Sequence, residues 1–150
     1  MMEDTILEVE NLRTSFTTDA GSVQSVRGIT FRVGKGESLG IVGESGCGKS
    51  VTMLSIMGLL EDNASRQADA LLFDGEDLLK KSPKEMRKIQ GNRIGMIFQD
   101  PMTSLNPLFT VGEQIRGPLM RHQKLSRKEA EAKALAMLEA VGPVSYTHLR

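Results

Sequence analysis

Cysteine is almost missing from this sequence: Cys47 stands alone, so no internal disulfide can form and a cross-linked secreted scaffold is excluded. Also missing is any apolar run near the ~20 residues that a membrane-crossing helix needs. The opening Met1-Met2-Glu3-Asp4 is acidic and has no apolar core behind it, which argues against a secretory signal and for a cytoplasmic location. A dominant charge is absent too. Nineteen basic residues meet nineteen acidic ones, so no whole-chain field draws anionic lipid, and no nucleic-acid partner is expected. His122 and His148 have no neighbour at metal-ligand spacing, so no metal site built from protein side chains alone is expected. Neither an internal repeat nor a low-complexity linker is present.

What remains is an ordinary globular composition, 39% hydrophobic and 25% charged, over 150 residues, a length that suits one compact domain. Ile6–Glu10 and Ser25–Val33 carry β-branched and apolar stretches on either side of Asp19-Ala20-Gly21-Ser22, which predicts an antiparallel pair and its turn. Gly34-Lys35-Gly36-Glu37 reads as a second turn. Ser38-Leu39-Gly40-Ile41-Val42 then reads as a strand buried on both faces. Lys49–Leu60 spaces Val51, Leu54, Ile56, Met57, Leu59 and Leu60 as a buried helix. Leu71-Leu72-Phe73 before Asp74-Gly75 predicts a short strand and turn, and Arg93–Phe98 another buried strand.

The helical part announces itself through its caps. Ser82 as N-cap, Pro83 as first residue, Glu85 as capping-box partner and Gly91 as stop define a small helix. Thr110 with Glu113 and Ser126 with Glu129 repeat the spacing and predict two more, the second closing at Gly142-Pro143. Pro118 is expected to kink or split the first of these near Gly117. The charged run from Ser126 to Lys133 reads as the solvated face of a capped helix. Strand, glycine-rich loop and helix, followed by further helices, give an α/β nucleotide-binding fold with a helical appendage and a boundary near Pro101.

Gly43-Glu44-Ser45-Gly46-Cys47-Gly48-Lys49-Ser50 fits the phosphate-loop pattern of glycine, four residues, glycine, lysine and serine. Small residues let successive backbone amides turn inward around phosphate oxygens, and the helix that follows presents its positive end to the same charge. Lys49 is expected to reach the β- and γ-phosphates, and the Ser50 hydroxyl to coordinate Mg2+, implying Mg-ATP or Mg-GTP. Cys47 reads as a small loop residue rather than a nucleophile, since no histidine lies near it in sequence.

Met96-Ile97-Phe98-Gln99-Asp100-Pro101-Met102-Thr103-Ser104-Leu105-Asn106-Pro107 adds a second, more specific signal. With the phosphate loop, it makes the sequence resemble the ATP-binding subunits of ABC transporters, those of the oligopeptide and dipeptide (and nickel) importers, from about Ile6 to Gly142. The resemblance implies a P-loop NTPase, RecA-like α/β core with an N-terminal antiparallel β subdomain over about residues 1–100. It implies the start of an ABC α-helical subdomain over about 101–144. It further implies that Gly43, Glu44, Ser45, Gly46, Cys47, Gly48, Lys49, Ser50 and Val51 hold ATP, that Ser50 and Gln99 touch Mg2+, and that Lys49 and Gln99 serve hydrolysis. Phe16 falls where the family stacks an aromatic ring on adenine, with strand packing as the competing use.

The same resemblance implies partners: a second ATP-binding subunit, identical or related, two membrane permease subunits, and indirectly an extracytoplasmic solute-binding protein. Met102–Arg116 is the candidate docking segment. ATP hydrolysis would then energise import of peptides or a related solute at the cytoplasmic membrane face. The family's signature motif, its Walker B aspartate and adjoining glutamate, and its switch histidine are not in this sequence, and Val144–Arg150 departs from the family pattern. Residues 145–150 are therefore expected to be a non-native tail, and the chain alone to fold poorly and at most to bind nucleotide. A catalytically silent nucleotide-binding module and an ABC ATPase without a membrane partner are the alternatives.

Overall fold

The computed structural model describes residues 4–100 and 104–142. The boundary residue Pro101, Met102 and Thr103 of the docking segment, Pro143 and the tail 145–150 lie outside the described residues. The chain divides into two compact units, Met1–Arg87 and Lys88–Arg150.

The first unit is organised around one long strand. β1 (Thr5–Thr18) and β2 (Gly21–Gly34) form an antiparallel hairpin whose turn, at Asp19-Ala20, falls inside the predicted cluster. Thr18 Oγ1 donates to the Gly21 carbonyl at 2.8 Å and closes it. On its other edge β1 pairs through Leu7–Glu10 with β4 (Ala70–Phe73) and through Arg13–Phe16 with β3 (Ala64–Gln67). β5 (Glu76–Asp77) adds to β4, so the sheet has five strands, all antiparallel. β3 is not visible in the sequence, because Ala64-Ser65-Arg66-Gln67 has no β-branched or aromatic residue.

A bulge decides which side chains face inward. Between Val9 and Leu12 β1 holds one residue more than β2, at Asn11 with φ 50°, so the buried row passes from Val9 to Leu12 and Thr14. Val26, Leu71 and Leu78 are buried in the same unit, as are Ile56 and Met57 of α1 (Lys49–Met57), which touches β1 and β2. Each such aliphatic side chain contributes about 1.5–3 kcal/mol by leaving water. α1 ends at Gly58 in a left-handed conformation, φ 66°, whose N–H reaches Leu54 and Ser55.

Two predicted strands do not form. Ser38–Val42 and Arg93–Phe98 are assigned to no ladder, apart from a single bridge between Gln90 and Ile94. Most of their apolar residues are open to water, Val42 at 96% and Ile97 at 98% exposure, while Ile94 and Met96 are half-buried. A strand is a property of a pair, and among the described residues neither segment lies in a ladder with another strand, although the Arg93 and Ile94 amides reach the Ile89 carbonyl. An apolar run alone cannot supply that neighbour.

The helices follow their caps. α2 (Pro83–Ile89) starts with reciprocal bonds between Ser82 and Glu85, and Gly91 follows it at φ 71°. In the second unit α3 (Val111–Gln123) and α4 (Arg127–Val141) both open with complete capping boxes, Thr110 with Glu113 and Ser126 with Glu129. Of the kink or split expected at Pro118, the split does not occur: α3 is one helix through it. The missing amide costs one helical bond. Ile115 and Leu119 on either side pack with Leu125 against Ala130 and Ala134 of α4, which holds both turns in place.

Candidate functional site

The glycine-rich loop lies between the Gly34–Gly36 turn and α1. Its first anchor is the sheet: Gly48, at φ 98°, abuts the carbonyl of Ser25, and a Cβ there would stand 2.6 Å from that oxygen. Ser25 is itself a bulge residue, since β2 spends two steps from Val26 to Gln24 while β1 spends one from Thr14 to Ser15. Glycine at 48 is thus required by space and by dihedral angle together. The second anchor is α1, whose Thr52 amide and hydroxyl both donate to the Gly48 carbonyl, at 2.8 and 2.9 Å.

Within the loop Lys49 Nζ donates to the Gly43 and Glu44 carbonyls, each at 2.7 Å, and lies 3.5 Å from Cys47 Sγ. The thiol packs over Gly43, where a Cβ would meet Sγ at 2.6 Å. The Cys47 amide closes a turn on the Glu44 carbonyl at 3.4 Å. By contrast, the backbone amides of Gly46, Gly48, Lys49 and Ser50 have no acceptor among the described residues, and neither has the exposed Ser50 hydroxyl. No acidic residue occupies the first turn of α1 and no side chain caps it. Unpaired donors, an uncompensated positive helix end and one ammonium thus lie within five residues of one loop, a donor set that suits a multiply charged anion.

The remaining predicted residues are placed separately. Val51 is the third residue of α1 and half-buried, and Glu44 and Ser45 are exposed in the loop. Phe16 is half-buried on β1 between Val23 of β2 and Ala64 of β3, in the same row as Thr14. Gln99 belongs to the second unit, exposed at a bend. Among the described residues no group of three or more acidic, cysteine or histidine side chains is arranged to hold a metal. Mg2+ fits this donor set only as a companion of nucleotide phosphates, through Ser50.

Sequence reading missed the residues that seat α1. Thr14, Ser55 and Arg66 meet from three elements, and no motif marks them. Ser55 Oγ lies 2.7 Å from Thr14 Oγ1 and donates to the Val51 carbonyl at 2.6 Å, while the Arg66 guanidinium donates to the Ser55 and Leu78 carbonyls. Arg66 is half-buried, and desolvation holds its pKa below the usual arginine value.

Among the described residues no helix is long and apolar enough to cross a membrane. The chain is 55% identical over 138 residues to the dipeptide transport ATP-binding protein DppD of Bacillus subtilis, covering 91% of this chain and 41% of that protein. It is 50% identical over 138 residues to the oligopeptide transport ATP-binding protein OppD of the same organism, covering 91% and 38%. The chain thus spans about two fifths of the length of these curated relatives. A solved dimeric ATP-binding cassette in a post-hydrolysis state, bound to ADP and Pi, superposes with TM-score 0.71 at 26% identity, over 89% of this chain and 56% of that one. A second dimeric cassette structure gives TM-score 0.74 at 24% identity, again over 89% and 56%, and shows the fold alone. The antiparallel sheet, the loop-helix unit and the helical pair are therefore the α/β arrangement of a P-loop ATPase cassette. Residues 26–149 match the ABC transporter family, and the chain belongs to that family.

Proposed function

We propose that the chain is the nucleotide-binding front of an ATPase subunit that drives import of peptides or a closely related solute. The observation that carries this reading is the set of unpaired amides of Gly46, Gly48, Lys49 and Ser50 beside the Lys49 ammonium, at the uncapped N-terminus of α1. In it Gly43–Val51 holds the phosphates of ATP, Lys49 turns from its own loop carbonyls to the β- and γ-phosphates, and Ser50 takes Mg2+. Phe16 stacks on adenine and Gln99 orients the attacking water beside the metal. The names and identities of the transport relatives support the solute class.

Hydrolysis needs a second ATP-binding subunit and the protein's remaining motifs, and work on the solute needs two permease subunits at the cytoplasmic membrane face with an extracytoplasmic binding protein beyond. Leu105, Leu108 and Phe109 support a docking role for the segment after Gln99, because three large apolar side chains stand exposed within five residues, Leu108 at 85%. We assign about residues 1–100 to the nucleotide-binding part and 101–144 to the helical part.

Titration of the protein with a fluorescent ATP analogue and Mg2+ tests the central claim. Saturable binding is expected, weakened on the order of tenfold or more in Lys49→Ala, where a charge-assisted contact to phosphate is lost. Absence of binding, or equal affinity in the variant, would overturn it.

A further inference from the structure

Arg66 is hard to account for as a surface residue. It is half-buried, no carboxylate among the described residues pairs with it, and desolvation disfavours its charge. Nor is it needed to satisfy the end of α1. The Gly58 and Leu59 amides already reach the Ser55 and Leu54 carbonyls, at 3.3 and 2.9 Å. Yet its guanidinium reaches in beside Gly58, where a Cβ would sit 3.4 Å from one of its nitrogens, to bind Ser55 and Leu78.

Its place in the sheet gives the reason. Arg66 is the cross-strand partner of Thr14, and both members of that pair hold the same residue of α1. Thr14 takes the Ser55 side chain and Arg66 takes the Ser55 backbone. At the other end of the helix Gly48 abuts the Ser25 carbonyl, so the close approach of loop and sheet there limits where that end can move. α1 is thus fixed at two points on one sheet, and its N-terminal amides are aimed by the line between them. Ser55 lies about 9 Å along the axis from Lys49, so a slip of roughly 1.5 Å there tilts the helix by about 10°. Sites of this kind tolerate about 10–20°.

We infer that Arg66 is a positioning residue for the phosphate loop, setting the direction of the amides and of Lys49 through its bond to the Ser55 carbonyl. The inference rests on the nucleotide-binding reading above. A cation at the negative end of α1 also stabilises the helix, but that effect is met by any cation within reach. The two-carbonyl geometry demands the planar fork of arginine.

The test compares Arg66→Met and Arg66→Lys with the wild-type full chain by Mg-ATP titration and by thermal midpoint. Arg66→Met is expected to bind Mg-ATP about tenfold more weakly, and Arg66→Lys, which reaches one carbonyl at a time, about threefold more weakly at a near-native midpoint. Wild-type affinity in a folded Arg66→Met protein overturns the inference. If that variant does not fold, Arg66→Lys decides: weaker binding at an unchanged midpoint supports the inference, and unchanged binding overturns it. Failure of the wild type itself to bind would remove the nucleotide reading and this one together.

Discussion

The hydroxyl pair beneath α1 allows a double-mutant cycle whose asymmetry follows from proton count. Ser55 has one hydroxyl proton and donates it to the Val51 carbonyl, so in the 2.7 Å contact Thr14 must be the donor and Ser55 the acceptor. Both groups are buried, Thr14 at 1% exposure and Ser55 at 0%. Thr14→Val removes a donor and leaves Ser55 still bonded to Val51, at a cost of about 1 kcal/mol. Ser55→Ala strands the Thr14 proton away from water and costs about 1–3 kcal/mol. With both changed nothing is stranded, so the double variant should be more stable than the sum of the single effects predicts, by roughly 1 kcal/mol. Equilibrium urea unfolding of the four proteins, read by circular dichroism at matched slopes, gives the coupling. Additive effects, or a larger loss for Thr14→Val than for Ser55→Ala, would refute the assignment of donor and acceptor.

Two further outcomes follow. Alkylation of Cys47, exposed but packed over Gly43, should lower Mg-ATP affinity severalfold by bulk, and bound Mg-ATP should slow the alkylation; unchanged affinity in a fully modified sample counts against the loop as the phosphate site. Acid should loosen the α3–α4 pair. Backbone and hydroxyl bonds from Thr110 hold the Glu113 carboxyl below its usual range, and those from Ser126, the hydroxyl first, do the same for Glu129. A lowered folded-state pKa contributes stability above the ordinary glutamate value that is lost as pH falls through it, from about pH 5 downward. Helical circular dichroism should fall over that range, less steeply in Glu113→Gln/Glu129→Gln, and an identical acid profile in that variant would exclude the capping boxes as its source.

What could be read from the sequence was whatever is encoded within a few residues. The three capping boxes depend on side chains three positions apart and appear where the spacing puts them, and the turn at Asp19-Ala20 falls inside its cluster; α1 begins at Lys49 as expected but stops at Met57, because Gly58 turns left-handed, and leaves Leu59 and Leu60 outside the helix. The apolar runs at 38–42 and 93–98 form no strand because such a run records that burial is wanted, not that a partner strand is present. β3 was invisible for the opposite reason: its residues have little strand preference and are recruited by the free edge of β1. The helix through Pro118 survives because packing on Ala130 and Ala134 outweighs one lost bond. The seat of α1 joins residues 14, 55 and 66, and contacts of that separation leave no local mark.

Among the described residues β1 has neighbours on both edges for much of its length, whereas β2 is paired with β1 alone. Amide hydrogen exchange should divide along that line. Amides along Leu7–Glu10 and Arg13–Phe16 point alternately into the β2 ladder and into the β3 or β4 ladder, with a strand on either side, so they should be among the slowest of the first unit to exchange. The β2 amides that face away from β1 are held by no ladder among the described residues and should exchange fast, in the strand whose Ser25 carbonyl abuts Gly48 of the phosphate loop.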